Sequence, residues 1–418
     1  MALFFAKYAK VLPDRGEEAE KLLEMSRSDS LRLIRRLSRT DLSKAGKGTA
    51  GLLTGIGGLF MSPALCGPDP AGPGTRKTDL DGPGMRKPAP EEPGTWEPDR
   101  RERALEILLS MAASLIREDR TDPYADLTLA DGLAGLAAGL DHLPCGCGGE
   151  DCTTTLFDAV ADRLLDTAGR ERDAGRRETN TDVRKKDAGR KEADAGLIYG
   201  MMKGKAGLMY ALCLCAGHVK EKGKRDRCME RGRELVSEIL AGYSSRLGAW
   251  PDRERLDRPL FPACDLERGA PGIGLMASRC LNFLPEAEEL LRLAADSVRS
   301  DELLETDTLL KGNAGAALCL IEAARALNDR NYLAHAGRIL QKMKERADRA
   351  GGFRVLPARY TNAPDPSFMD GYAGIGYVFL CYAELVRAGE AEDPAHGSGE
   401  AHRQYRQSRK RERSLFPV

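Results

Sequence analysis

Three cations and three carboxylates stand one or two residues ahead of a glycine that opens an apolar segment: Lys203, Arg268 and Lys311 among the cations, Asp131, Glu267 and Asp370 among the acids. Cations are disfavoured at helix N-termini, where unpaired backbone N–H groups already carry partial positive charge, unless something anionic binds there. Brought to one cavity, the three cations would stabilise an anion, and Glu267 would take or return a proton. Asp131 and Asp370 are further candidate carboxylates, although acids at helix N-termini are favoured by the dipole alone.

The sulfur and imidazole groups are a second reservoir of chemistry. His142, Cys145, Cys147 and Cys152 fall within HLPCGCGGEDC, four possible ligands with glycines that let them turn. A displaced metal site is one reading; loop thiols are the simpler one, since Cys-x-Cys is not a zinc-ribbon spacing. Cys213, Cys215 and His218 follow a glycine segment, and the two cysteines read as small buried hydrophobes. Cys264, three residues before Glu267, has no histidine at a motif position to activate it. Tyr210 and Tyr372 read as packing residues, with Tyr372 also placed to touch a substrate. The chain contains no H-E-x-x-H, no G-x-S-x-G, no phosphate-binding G-x-x-x-x-G-K-[ST] and no kinase signature.

The elements that must position these groups repeat along the chain. TGIGGLFM at 54–61, DGLAGLAAGL at 131–140, KGKAGLMYAL at 203–212, RGAPGIGL at 268–275, KGNAGAAL at 311–318 and DGYAGIGYVFL at 370–380 share a first glycine and another three residues on. Their first glycines lie 43 to 77 residues apart, which fits one helix pair per repeat. The first glycine would permit a tight turn into the helix and the next would let neighbouring helices pack closely. Between them run amphipathic helices: Tyr332, Ala336, Ile339, Leu340 and Met343 form one stripe, Leu105, Leu108, Leu109, Ala112 and Ile116 another, and Leu156, Val160 and Leu164 a third. With the glycine segments inside and the amphipathic helices outside, the expected fold is all-α, a double-layered toroid whose inner helix N-termini surround one cavity that favours anions.

Composition supports this plan. The 418 residues carry 64 Lys+Arg against 64 Asp+Glu, so no global field gathers nucleic acid. Only 6% are aromatic while 45 are glycine, so the core is built from Leu, Ala and Gly. Eleven scattered cysteines and no leading apolar segment point to a reducing cytoplasm. The uncharged run at 48–68 holds six glycines and two prolines, a poor composition for a membrane span. The organisation reads as an N-terminal helical part at 1–66, a Pro/Gly-rich linker at 67–98, a main toroid at 99–395 with a charged insertion at 170–195, and a basic tail at 396–418.

RGAPGIGL, KGNAGAAL and FMDGYAGIGY resemble the lanthionine synthetase C-like (LanC-like) family, and the repeats carry that resemblance from about Thr54 to Tyr382. It implies an α/α toroid of seven inner and seven outer helices. It also implies addition of a peptide cysteine thiol to dehydroalanine or dehydrobutyrine, closing a thioether ring. Family members usually hold zinc at the toroid centre through a Cys before Gly-x-Pro-Gly and a Cys-His pair before the next glycine segment. Here Glu267 and Arg268 stand at the first place, Leu310 and Lys311 at the second, and Lys203 replaces the His before the third segment. No zinc is therefore expected at the usual place, as in some kinase-fused synthetases that also lack these ligands.

Two functions follow from the resemblance. In the first, the chain is a zinc-independent cyclase acting on a leader-bearing precursor peptide, with Lys203, Glu267, Arg268, Lys311 and Asp131 catalytic and Asp370 and Tyr372 binding substrate. A separate dehydratase or kinase/lyase partner would supply the dehydrated residues. In the second, it is an inactive relative that binds or chaperones a precursor peptide or a partner synthetase. A carbohydrate enzyme on a similar toroid would draw on Glu267, Asp131 and Asp370 as paired carboxylates, but it would want more aromatic rings for stacking.

Overall fold

The computed structural model describes residues 98–117, 127–142, 150–179, 199–251, 264–298, 302–357 and 365–391, together with residues 4, 7, 8, 11, 12 and 25. The first glycine segment, the Pro/Gly-rich stretch up to residue 97, the thiols of Cys145, Cys147 and Cys152, residues 180–195 and the tail lie outside the described residues. Of the charged insertion, residues 170–179 continue a helix.

The described helices are α1 (Pro98–Arg117), α2 (Leu133–Leu140), α3 (Glu150–Thr179), α4 (Lys205–His218), α5 (Lys222–Ala241), α6 (Ala270–Cys280), α7 (Ala287–Ser297), α8 (Asn313–Leu327), α9 (Arg330–Ala350) and α10 (Tyr372–Ala391). Among the described residues there is no strand, only one antiparallel bridge between Ser244 and Ala249. No described helix is long and apolar enough to cross a membrane.

Five of these helices, α2, α4, α6, α8 and α10, begin directly after a glycine of the repeated segment and pack in that order, each on the next. Their sequences are apolar on nearly every side. In α2 all eight residues are buried, and in α8 every residue from Asn313 to Ala324 is. A helix apolar all round must be enclosed on all sides. The enclosing layer comes from the amphipathic helices: α5 packs on α4, α7 on α6, α9 on α8, and α3 on both α2 and α4. Helix α9 buries Tyr332, Ala336, Ile339, Leu340 and Met343, the stripe its period implies. It is opened by Asp329, whose side chain accepts the Asn331 amide at 2.9 Å, and closed by Gly351 in the left-handed region at φ 78°. This is the inner and outer layering of an α/α toroid.

The entrances to the inner helices are stitched to one another. The residue two before each motif glycine donates its amide to the equivalent carbonyl of the next segment: Ala130 to Met202 at 2.9 Å, Met202 to Glu267 at 3.0 Å, Glu267 to Leu310 at 3.2 Å and Leu310 to Met369 at 2.9 Å. Five entrances far apart in sequence are thus set in one arc at one level.

The glycines serve this arc differently from the sequence-based expectation. The backbone at Gly132, Gly204, Gly269 and Gly312 is extended, with φ between −103° and −136°, which any residue adopts. Closeness is the constraint, and at the second glycine it comes mainly from the entrance loop. A Cβ on Gly272 would lie 2.0 Å from the Leu266 carbonyl oxygen and 2.8 Å from Met201 Cβ of the preceding segment, and Gly207, Gly315 and Gly374 face the same pair of obstacles. Gly272→Ala is expected to destabilise the fold by about 1–3 kcal/mol, because backbone must move. Gly223→Ala, in a helix where an added Cβ meets only the Glu221 side chain at 3.4 Å, is expected to be neutral or stabilising. Paired urea titrations check the contrast.

Candidate functional site

The side chains on this arc are the charged residues ahead of the glycines. On the loop before α6, Glu267 is largely shielded, 16% exposed, and its Oε2 lies 3.6 Å from Nζ of Lys311 on the loop before α8. Lys311 itself is 56% exposed, so its ammonium remains within reach of a ligand. The Leu310–Met369 hydrogen bond brings Asp370 of the next loop alongside. Partial desolvation raises the Asp370 carboxyl above the usual range; Lys311 opposes this, while Glu267 and Asp365 add to it. Lys203 is exposed on the neighbouring loop, whose Met202 amide bonds Glu267. Asp131 stands half-buried at the far end of the arc. Arg268 is drawn toward Asp265, whose carboxylate accepts its amide at 2.8 Å and its guanidinium at 3.3 Å. Burial nonetheless raises the Asp265 carboxyl, against those hydrogen bonds.

Tyr372 turns to packing: its hydroxyl donates to the Phe353 carbonyl at 3.2 Å and its ring meets Phe353 edge-on. Lys205, two residues past Lys203, pairs with Glu238 of α5 at 2.6 Å and belongs to the contact between layers.

Two sets of positioning residues escaped the sequence reading. Four residues before the glycine, Thr128, Asp265 and Thr308 each accept the amide of the charged residue that follows, Asp131 at 3.2 Å, Arg268 at 2.8 Å and Lys311 at 3.3 Å. These side-chain turns fix where the charged residues leave the loop. The signal was present as T-L-A-D-G, D-L-E-R-G and T-L-L-K-G. Lys311 is braced further by a buried hub. Asp307, wholly buried, accepts from Asn313 Nδ2 at 3.0 Å, from the Arg354 amide at 3.0 Å and from Arg346 of α9. Asn313 also binds the Leu304 amide at 2.7 Å, and Arg346 the Leu304 carbonyl at 2.9 Å.

The residues at the expected zinc positions do not fit that metal. Leu310 is 4% exposed and offers no donor atom, Lys311 and Arg268 would repel a dication, and Glu267 is already engaged by an ammonium. Among the described residues no group of three or more His, Cys, Asp or Glu is arranged to hold a metal ion.

His142, His218, Cys213 and Cys215 lie toward the opposite ends of the inner helices. Burial pushes the His142 imidazole down to about 4, with Asp141 opposing and Arg279 reinforcing the shift. His218 Nε2 lies 2.8 Å from Asp141 and its ring stacks on Phe157. Cys213, hydrogen-bonded to Cys280 and buried, and Cys215, buried, have thiols pushed well up, which leaves them protonated and inert. Tyr210 is buried in the same region. Cys264 is exposed at the mouth of a cavity of about 190 Å³ between α6, α8 and the ends of the outer layer.

Comparison with known proteins bears on what this arc is for. Residues 178–388, just over half of the chain, match the profile of the lanthionine synthetase C-like protein family. Among solved structures, nisin cyclase superposes with a TM-score of 0.57 over 92% of this chain and 86% of its own length, at 13% identity. That likeness speaks for the fold. No curated protein sequence matches the chain significantly.

Proposed function

This chain belongs to the lanthionine synthetase C-like family, and from that premise we propose that it closes thioether rings in a dehydrated precursor peptide without zinc at the usual place. The observation that carries the reading is the Glu267–Lys311 pair, 3.6 Å apart on adjacent inner-helix entrances. The nucleophile in such a ring closure is a thiolate, and a thiol with ordinary acidity is mostly protonated at neutral pH. Zinc would solve this by coordination. Here Lys311, with Arg268 on the adjacent loop and Lys203 on the loop beyond it, stabilises the thiolate electrostatically, and Glu267 accepts the thiol proton. Asp131 adds a carboxylate at the end of the arc, and Asp370 faces the same ligand. The substrate is a leader-bearing precursor peptide whose dehydration a separate dehydratase or kinase/lyase partner supplies.

The test is to count free thiols, by alkylation and mass spectrometry, on a dehydrated precursor peptide with and without the protein and with a chelator present. Thiol loss that survives chelation is the expected result. Loss abolished by the chelator overturns the zinc-independent mechanism. The second reading, an inactive peptide-binding relative, draws support from Arg268, whose charge is largely taken up by Asp265. Unchanged thiols together with measurable peptide binding would establish it.

A further inference from the structure

Ring closure needs two proton transfers, and the reading above assigns only one. When the thiolate sulfur bonds to the β-carbon of the dehydro residue, the π pair of the C=C bond moves onto the α-carbon and its carbonyl. That carbon must then gain a proton. We infer, resting on the cyclase reading, that Asp370 delivers it. The S–H and C=C π bonds are lost, the C–S and C–H bonds are gained, and nothing is oxidised or reduced. Glu267 leaves protonated, Asp370 leaves ionised, and water restores both.

The geometry separates the two acids. Glu267 stands two residues before the α6 glycine and Asp370 one before the α10 glycine, and the segment carrying Lys311 lies between them, joined to each by a backbone hydrogen bond. The ammonium is 3.6 Å from Glu267, which is 16% exposed, while Asp370 is exposed and able to meet a ligand. Lys311 thus stands between one shielded and one exposed carboxylate. The groups facing Asp370 are Lys311 on the α8 loop, Glu267 on the α6 loop and Asp365 on its own. Partial desolvation and two acidic neighbours favour the protonated form of Asp370 more than Lys311 opposes it. With the shielded carboxylate against the ammonium and the exposed one across the Lys311 loop, the two can divide the base and acid roles between them. Tyr372, the nearest phenol in sequence, has its hydroxyl bonded to Phe353 and does not compete.

The experiment uses the full chain, a dehydrated precursor peptide and three proteins: wild type, Asp370→Asn and Asp370→Glu. Ring closure is followed by thiol loss across pH, and the configuration of the new α-carbon by chiral chromatography of the hydrolysed thioether. Asp370→Asn should slow closure by on the order of 10²-fold and remove the high-pH decline of the wild-type rate. It should also shift the α-carbon toward equal D and L, since solvent can protonate either face. Asp370→Glu should restore rate and configuration in part. Wild-type rate, pH profile and configuration in Asp370→Asn would overturn the assignment and leave the cyclase reading standing. A wild-type protein that closes no ring overturns the cyclase reading and this assignment with it.

Discussion

Replacing Lys311 by methionine is expected to slow ring closure about 10²–10³-fold, the usual cost of removing one electrostatic donor from a reacting anion. Stability should hardly change. The side chain is 56% exposed and its ion pair with Glu267 spans 3.6 Å, so its folding contribution is that of a partly solvated pair, within about 1 kcal/mol. The separation of the two effects makes the variant informative, because a merely structural lysine would move the melting temperature first. A second signature lies in pH. Without the cation the substrate thiol reverts toward its ordinary pKa of about 8.5, so the deficit should narrow as pH rises and hydroxide supplies the thiolate instead. Lys311→Arg should recover part of the rate, keeping the charge with a different shape. A methionine variant with wild-type rates would remove Lys311 from the mechanism and shift weight to the inactive relative.

The parts of this molecule legible in the sequence are those with a period. The glycine pairs marked the inner helices, the 3.6-residue stripes marked α1, α3 and α9, and charge next to glycine marked the arc where Glu267, Lys311 and Asp370 meet. What the sequence did not disclose depends on contacts between segments with no fixed spacing. The second glycines read as contacts between neighbouring helices; their closeness to Leu266 O or Phe368 O of their own entrance loop exists only once that loop folds back onto its helix. Asp307, Asn313 and Arg346 look like ordinary surface polars, yet the first two are buried and all three brace the loop that carries Lys311. Tyr372, beside Gly371, reads from sequence as a packing residue able to touch a substrate, and the bond from its hydroxyl to the Phe353 carbonyl depends on a turn that the sequence does not place beside it.

The largest stability effect is expected from a buried carboxylate in a mostly apolar inner helix. Glu322 of α8 is 3% exposed and lies between Arg279 of α6 at 3.0 Å and Arg325 of α8 at 3.1 Å; Arg325 reaches Glu384 of α10 at 3.6 Å, and Glu384 pairs with the buried Lys7 at 2.6 Å. The chain of charges spans three inner helices and the N-terminal residues. It lies ten or more residues past the motif glycines, roughly 15 Å from the entrances at 1.5 Å per residue. Glu322→Ala leaves buried Arg279 without this carboxylate and Arg325 with only the more distant Glu384, and should cost about 3–5 kcal/mol. Removing the exposed Arg292–Glu288 pair, by contrast, should leave stability nearly unchanged. Burial alone would raise the Glu322 carboxyl, but Arg279 and Arg325 outweigh it and hold the group below its ordinary 4.5. A carboxyl depressed on folding stabilises fully above its unfolded value, and that contribution is lost as pH falls below about 4.5 toward the folded value. The urea midpoint of the wild type should therefore drop through this acid window more steeply than that of Glu322→Ala. Equal midpoints at neutral pH would show that the network contributes nothing net. Because α6 and α8 carry Glu267 and Lys311 on the loops at their other ends, a loosened network should also widen the spread of distances between those two groups. Ring closure by Glu322→Ala should then fall under conditions where the protein is still folded, through a pair of residues the substitution never touches.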